Sequence, residues 1–473
     1  MHAARPSRPV RPVRRAYHSA RIGALAVAML LAVVSCRRAA IREVNPDISS
    51  QGGAGSPHEL IDSRASYQRA GLLVASGDLA FVGSIAFLGG PSADSTLVMI
   101  DVSFSDHALT FTREGDSYHA AYDVVLELGR AGLPARRVAT HEDVRVGSLD
   151  ETTREEESVI YQQVTSLSPG EATIALSIRD AGSTHSGVVR QAIVVPRFDE
   201  GTATAPIPAL RARPRATRDR VPDLVLNARA TSVYGRDSAA LFYVESYGPP
   251  PVGGGGAVQL RVIGDSGVVV YADSVPWIEA GNKLRSAILR VPISKIGFGE
   301  LGVLAGSNGA LASPLLVSFG DGLPVSTFSD MVGLLRYFAS SDRLRGLRAL
   351  PPQDRTAGWA AFLQSTDPVT GSRAGDALRG YFARLVDANA RFREDDHTPG
   401  WLTDRGMVFS ALGEPDNQIA PNDGPDDRPM VQVWSYQRYR TRLTFVDRGG
   451  FGRWRLTPGS EAEYRALLRR VTR

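Results

Sequence analysis

From about Leu79 to Ala305 the apolar residues of this chain recur at every second position, and after Pro324 they recur at every third or fourth. A period of two sends alternate side chains to opposite faces of a strand, whereas a period near 3.6 lines one face of a helix. This one change of period divides the chain into a long β part and a later part that begins helical. Strands are predicted at 97–104, 122–128, 136–146, 158–164, 171–179 and 187–195, with turn signals at 129–134, 168–170 and 180–183. Short strands at regular spacing predict an antiparallel β-sandwich of the immunoglobulin or fibronectin kind over residues 67–200. A second set at 223–231, 238–245, 257–263, 268–273, 286–292 and 299–305 predicts another such sandwich over 222–322. Residues 201–221 between them are rich in Pro, Ala, Thr and Arg and read as a linker.

The first 66 residues follow neither period. Arg5, Arg8, Arg11, Arg14, Arg15 and Arg21 precede the apolar run 22–35. That run is short of the roughly 20 residues a spanning helix needs, and it fits the core of a secretory signal. It ends at Cys36, the only cysteine of the chain, in a pattern that resembles a bacterial lipobox. The reading is a lipoprotein signal at 1–35 and a lipid-bearing Cys36 that holds the chain on a membrane outside the cytoplasm. A polar, flexible tether follows at 36–66. Arg37, standing where an aspartate would retain a lipoprotein at the inner membrane, points to the outer membrane and a periplasm-facing chain. With one cysteine, no intrachain disulfide is expected, so packed cores must carry the stability.

Hydrophobic content of 43% with 22% charged residues fits a folded chain and excludes wholesale disorder. The cations are almost all arginine and, after the first forty residues, are not gathered with aromatic residues on one segment, so no nucleic-acid partner is expected.

The last third, 323–473, predicts helices around 328–338, 344–350, 359–363 and 374–393. Strands follow at 431–437, 442–447 and 452–457, with a closing helix at 461–471. Trp359, Trp401, Trp434 and Trp454, four of the five tryptophans, fall here and suit the core of a small α+β domain.

Within it stand Gly400-Trp401-Leu402-Thr403-Asp404 with Arg405-Gly406, "LGEPD" with Gly413, Pro415 and Asp416, "VWSY" with Trp434 and Tyr436, and "LTFVDRGGFGRWRL" with Asp447. In these motifs the chain resembles the bacterial GWxTD domain family. The resemblance implies the architecture of a helical segment plus a small α+β domain, with β modules and a secretion signal upstream. It makes these residues, Leu402 apart, the motif and interaction candidates, and it brings no established reaction. The turn at Gln364-Ser365-Thr366 departs from the tryptophan many relatives carry there. A shorter resemblance, in the L-G-x-P turn, W-x-Y strand and F-x-D hairpin, is to small outer-membrane assembly lipoproteins. It implies contact with other envelope proteins.

No metal or cofactor is expected: the eight histidines are scattered without metal-ligand spacing, and Gly253–Gly256 lacks the lysine and helix of a phosphate loop. No G-x-S-x-G elbow occurs. The remaining catalytic candidate is the set Asp404, Glu414, Asp416 and Asp447, since two carboxylates about 5–9 Å apart can cleave a glycosidic bond. The same residues occupy turn and cap positions, where carboxylates bind backbone N–H groups, and Asp404 is placed to pair with Arg405. The expectation is therefore a lipid-anchored interaction scaffold without catalysis. The alternative is a protein that binds or cuts cell-wall polysaccharide with Trp401 and the acidic set.

Overall fold

A computed structural model describes residues 63–148, 158–234, 236–249, 256–264, 267–281, 283–297, 299–306, 311–318, 327–366, 375–395, 398–419 and 429–472. The signal, Cys36, the tether up to residue 62 and the Asp367-Pro368 turn lie outside the described residues. The architecture is mostly antiparallel β-sheet in several sheets, followed by a helical C-terminal region.

The first β module faces two sheets. One orders Leu73–Val74, Val82–Gly89, Thr96–Ser105 and Ser158–Leu167. The other orders Ser76–Gly77, Ser186–Val195, Gly170–Asp180 and Ser117–Arg130, with Thr112–Glu114 and Leu133–Val146 both paired to Ser117–Arg130. Val98, Ile100, Val102 and Phe104 from the first sheet share a core with Val124, Leu126, Ile174, Leu176 and Ile178 from the second. Thr96–Ser105 is buried on both faces, because Leu97 and Met99 turn the other way onto Ile207, Ala209, Leu224, Leu226 and Tyr243 of the next module. Its unbroken apolar run, where other strands alternate, is the sequence trace of that double burial.

The second module orders Asp223–Leu226, Ile207–Arg213, Ala239–Tyr247, Leu284–Pro292 and Ile278–Ala280 in one sheet. Thr231–Val233, Leu311–Ser318, Gly299–Ala305, Ala257–Ile263 and Val269–Pro276 form the other. Three expectations change here. Ile207–Arg213, within the stretch read as linker, is a strand. The single strand expected at 223–231 is two, divided at Asn227–Ala230, where Ala230 takes a φ of 48°. The pairing of Thr231–Val233 with Leu311–Ser318 is parallel, an exception to the antiparallel expectation.

Helices Phe328–Leu334, Ser341–Arg348, Arg355–Thr366 and Asp376–Arg391 come next. A four-stranded sheet follows, in the order Asn417–Ile419, Met430–Tyr436, Thr441–Asp447 and Arg455–Leu456, with helices Asp404–Leu412 and Pro458–Val471. The strand expected at 452–457 shrinks to Arg455–Leu456, because a glycine turn takes its first half. One contiguous core runs from Phe242, Leu260 and Leu289 of the second β module through Trp359 and Tyr381 to Trp401, Trp434 and Phe445.

The seam between the β modules holds a buried ion pair. Arg215 meets both oxygens of Glu245 at 2.8 and 2.7 Å, with side chains 1% and 0% exposed. The remaining guanidinium protons go to the carbonyls of Gly89, Arg218 and Arg220. Tyr243 and Tyr247 donate to Glu245, and Tyr247 accepts from the Gly89 N–H. Every charge is thus matched, as burial of an ion pair requires. Asp101, on the same side of its strand as Leu97 and Met99, is fully buried and neither of its oxygens finds a well-formed hydrogen bond. Burial pushes its carboxyl up to about 8, and the nearby backbone N–H groups of Val102 and Ala228 offset only part of this.

Candidate functional site

Helix Asp376–Arg391 ends at Phe392, and a 3₁₀ turn, Gly400–Leu402, leads into helix Asp404–Leu412. The two glycines of this corner are there for space. A Cβ on Gly400 would lie 2.5 Å from the Ala388 carbonyl oxygen, and one on Gly406 only 1.9 Å from the Gly400 carbonyl oxygen. Their absent side chains let the turn, the preceding helix and the first turn of the next helix touch backbone to backbone. Gly400 N–H also donates to Asn389 Oδ1 at 2.9 Å.

Thr403 is buried and closes the helix start: its hydroxyl accepts from Gly406 N–H at 3.2 Å and donates to the Gly400 carbonyl at 2.8 Å. Asp404 accepts from Leu456 N–H at 2.7 Å, tying the helix to the last strand while its charge sits favourably in the first turn. The expected Asp404–Arg405 pair does not form. Arg405 lies instead over the rings of Phe392 and Trp454, 5.5 and 5.2 Å from their centroids, with Glu394 at 4.0 Å. Glu394 has no sequence signal, yet its side chain is only 2% exposed and accepts from Trp454 N–H and Arg455.

Trp401 is 0% exposed, edge-on to Tyr337 and covered by Arg336. Trp434 is wedged between Phe392 and Phe445, with centroids at 5.6 and 4.8 Å. At the far end of the helix, Gly413 takes a φ of 84° and gives its carbonyl to the Tyr436 hydroxyl, while Pro415 is buried. Asp416 accepts from Gln437 N–H at 2.6 Å. Glu414 accepts two bonds from Arg391, at 2.7 and 3.0 Å, and that guanidinium holds its carboxyl below the usual range. Asp447 accepts from the N–H groups of Gly449, Gly450 and Gly452.

The structure therefore gathers Gly400, Trp401, Thr403, Asp404, Arg405 and Gly406 at one corner. Gly413, Pro415, Asp416 and Tyr436 meet at another, Trp434 lies in the core, and Asp447 sits in a hairpin turn. Asp404 and Glu414 stand at opposite ends of a helix of 9 residues, about 13 Å long. Each of the four acidic candidates already has a partner within the protein. Among the described residues no group of His, Cys, Asp or Glu is arranged to hold a metal ion, and no helix is long and apolar enough to cross a membrane.

The family model of the GWxTD domain matches residues 314–448. It begins inside strand Leu311–Ser318 and stops just after Asp447, before Trp454 and the closing helix that complete the same core. No curated protein matches the chain.

Proposed function

Because the chain carries a GWxTD domain, we propose that it is a lipid-anchored, periplasm-facing interaction protein of the bacterial envelope, with its β modules as spacer and docking surfaces. The observation that supports this reading most is the inward use of the motif. Trp401 is sealed from solvent, and Asp404, Glu414, Asp416 and Asp447 hold backbone or arginine partners, so the motif stabilises a corner and leaves the outer surfaces for contact. A tryptophan without exposed area offers no platform for a sugar ring, which removes the main support for polysaccharide binding or cleavage at this corner. The likeness of the two sheet pairs to immunoglobulin or fibronectin modules belongs to the same proposal, supported by their paired sheets around shared cores. The anchor rests on the basic start, the apolar run and Cys36.

Two experiments test it. Labelled palmitate should enter the wild-type chain and be lost in Cys36→Ala. Cross-linking in native membranes, followed by purification through a C-terminal tag, should yield discrete species with envelope proteins that diminish in Cys36→Ala. Recovery of anchored monomer alone would overturn the scaffold reading.

A further inference from the structure

The turn joining strands Thr441–Asp447 and Arg455–Leu456 is built more tightly than a connection requires. Asp447, 1% exposed, binds Gly449 and Gly450 N–H through one oxygen, each at 3.1 Å, and Gly452 N–H through the other at 2.6 Å. Gly450 and Gly452 take φ values of 70° and 77°, which side-chain-bearing residues rarely adopt. A Cβ on Gly449 would fall 2.6 Å from the Phe451 ring, so the ring folds across that glycine. One buried carboxylate and three glycines thus fix a single arrangement, and what it displays is Phe451. At 83% exposure this is the most exposed large apolar side chain among the described residues.

Single exposed apolar residues are common on surfaces and need no explanation. This one differs because its neighbours are devoted to presenting it. Arg448 and Arg453 flank it, and residues 448–453 contain no acid. Arg453 reaches Asp395 only loosely, at 3.9 Å with its side chain 62% exposed. Behind the apex, Val446 and its cross-strand neighbour Val431, itself 40% exposed, continue an apolar surface on the sheet.

We infer that this turn is a membrane-contact tip: Phe451 enters the boundary between headgroups and acyl chains of an anionic bilayer, and Arg448 and Arg453 meet the lipid phosphates. A convex apex of one aromatic ring, glycines and arginines suits a soft anionic surface. A protein hot spot more often lies at the centre of a broad, closely packed patch. The inference rests on the proposed lipid anchor, because one ring and two arginines bind a bilayer weakly unless a tether raises their local concentration.

The test uses the full chain carrying Phe451→Trp, mixed with excess vesicles of phosphatidylcholine and brominated phosphatidylglycerol, against vesicles of brominated phosphatidylcholine alone. Tryptophan emission should shift to the blue and be quenched beyond the parent chain on the anionic vesicles. Arg448→Gln and Arg453→Gln should each lower the ratio of inserted to free tip about fivefold there. Quenching no greater than in the parent chain, or indifference to both arginine changes, would overturn the inference. Flotation with the vesicles reports the anchor separately, so loss of flotation counts against the anchor and flotation without quenching against the tip. A Phe451→Ser change that abolishes a cross-link to an envelope protein, with quenching of the Phe451→Trp chain absent, would make the tip a protein contact instead.

Discussion

Replacing Gly406 by alanine should destabilise the protein, although the same change in an ordinary helix stabilises it. Gly406 lies in the first turn of helix Asp404–Leu412, where alanine gains about 1 kcal/mol of helix propensity over glycine. The new Cβ would sit 1.9 Å from the Gly400 carbonyl oxygen and 2.9 Å from Trp401 Cα. Both are backbone atoms, so no rotamer change relieves the clash, and the 3₁₀ turn must move with Trp401 attached. Overpacking of this kind costs about 3 kcal/mol, leaving a net loss of about 2 kcal/mol. Gly380→Ala supplies the control: it lies within helix Asp376–Arg391, and its Cβ would meet only the tip of Arg384 at 3.8 Å. That change should stabilise by about 0.5–1 kcal/mol. Urea unfolding followed by tryptophan emission reads both as shifts of midpoint at constant slope. A Gly406→Ala midpoint at or above the parent would refute the close-approach argument, most clearly if Gly380→Ala behaves as expected.

Two further predictions concern the seam between the β modules. Glu245→Gln strips the charge from a fully buried pair and leaves Arg215 uncompensated, which should cost about 3–5 kcal/mol and lower the urea midpoint. A loss well under about 1 kcal/mol would contradict the described network. Asp101, its carboxyl raised from 3.8 to about 8, keeps a proton in the folded chain that the unfolded chain releases. Its contribution to stability should therefore fall as pH rises from about 4 to about 8 and then level off. Asp101→Asn should flatten that fall and raise the midpoint near pH 8, and an unchanged profile would contradict the burial argument.

What the sequence made legible was local. Strands Ala257–Ile263 and Gly299–Ala305 fall where alternation places them, since every second residue of each packs inward. The cap at Thr403 follows from a rule that spans a few residues, whereas the carboxylate of Asp416 meets the backbone N–H of Gln437, 21 residues on. Ile207–Arg213 was hidden because Pro208, Arg211 and Arg213 give it the composition of a linker, while only Ile207 and Ala209 enter the core. Leu311–Ser318 gives no clear strand signal, because Pro314 interrupts its pattern. The partners of Asp404, Glu394 and Arg215 lie 52, 60 and 30 residues away, distances over which no spacing rule operates. For that reason the Asp404–Arg405 pair, the nearest local solution, was expected, although the fold offers Asp404 a strand N–H and gives Arg405 two aromatic faces.

Hydroxyl-radical footprinting of the full chain tests most directly the claim that the Gly400–Gly406 motif faces inward and the Phe451 tip faces outward. Trp401 and Trp434, at 0% and 1% exposure, should stay unmodified at doses that oxidise Phe451, at 83%, readily. Oxidation of Trp401 at a rate comparable to Phe451 would show the motif open to solvent and contradict the account.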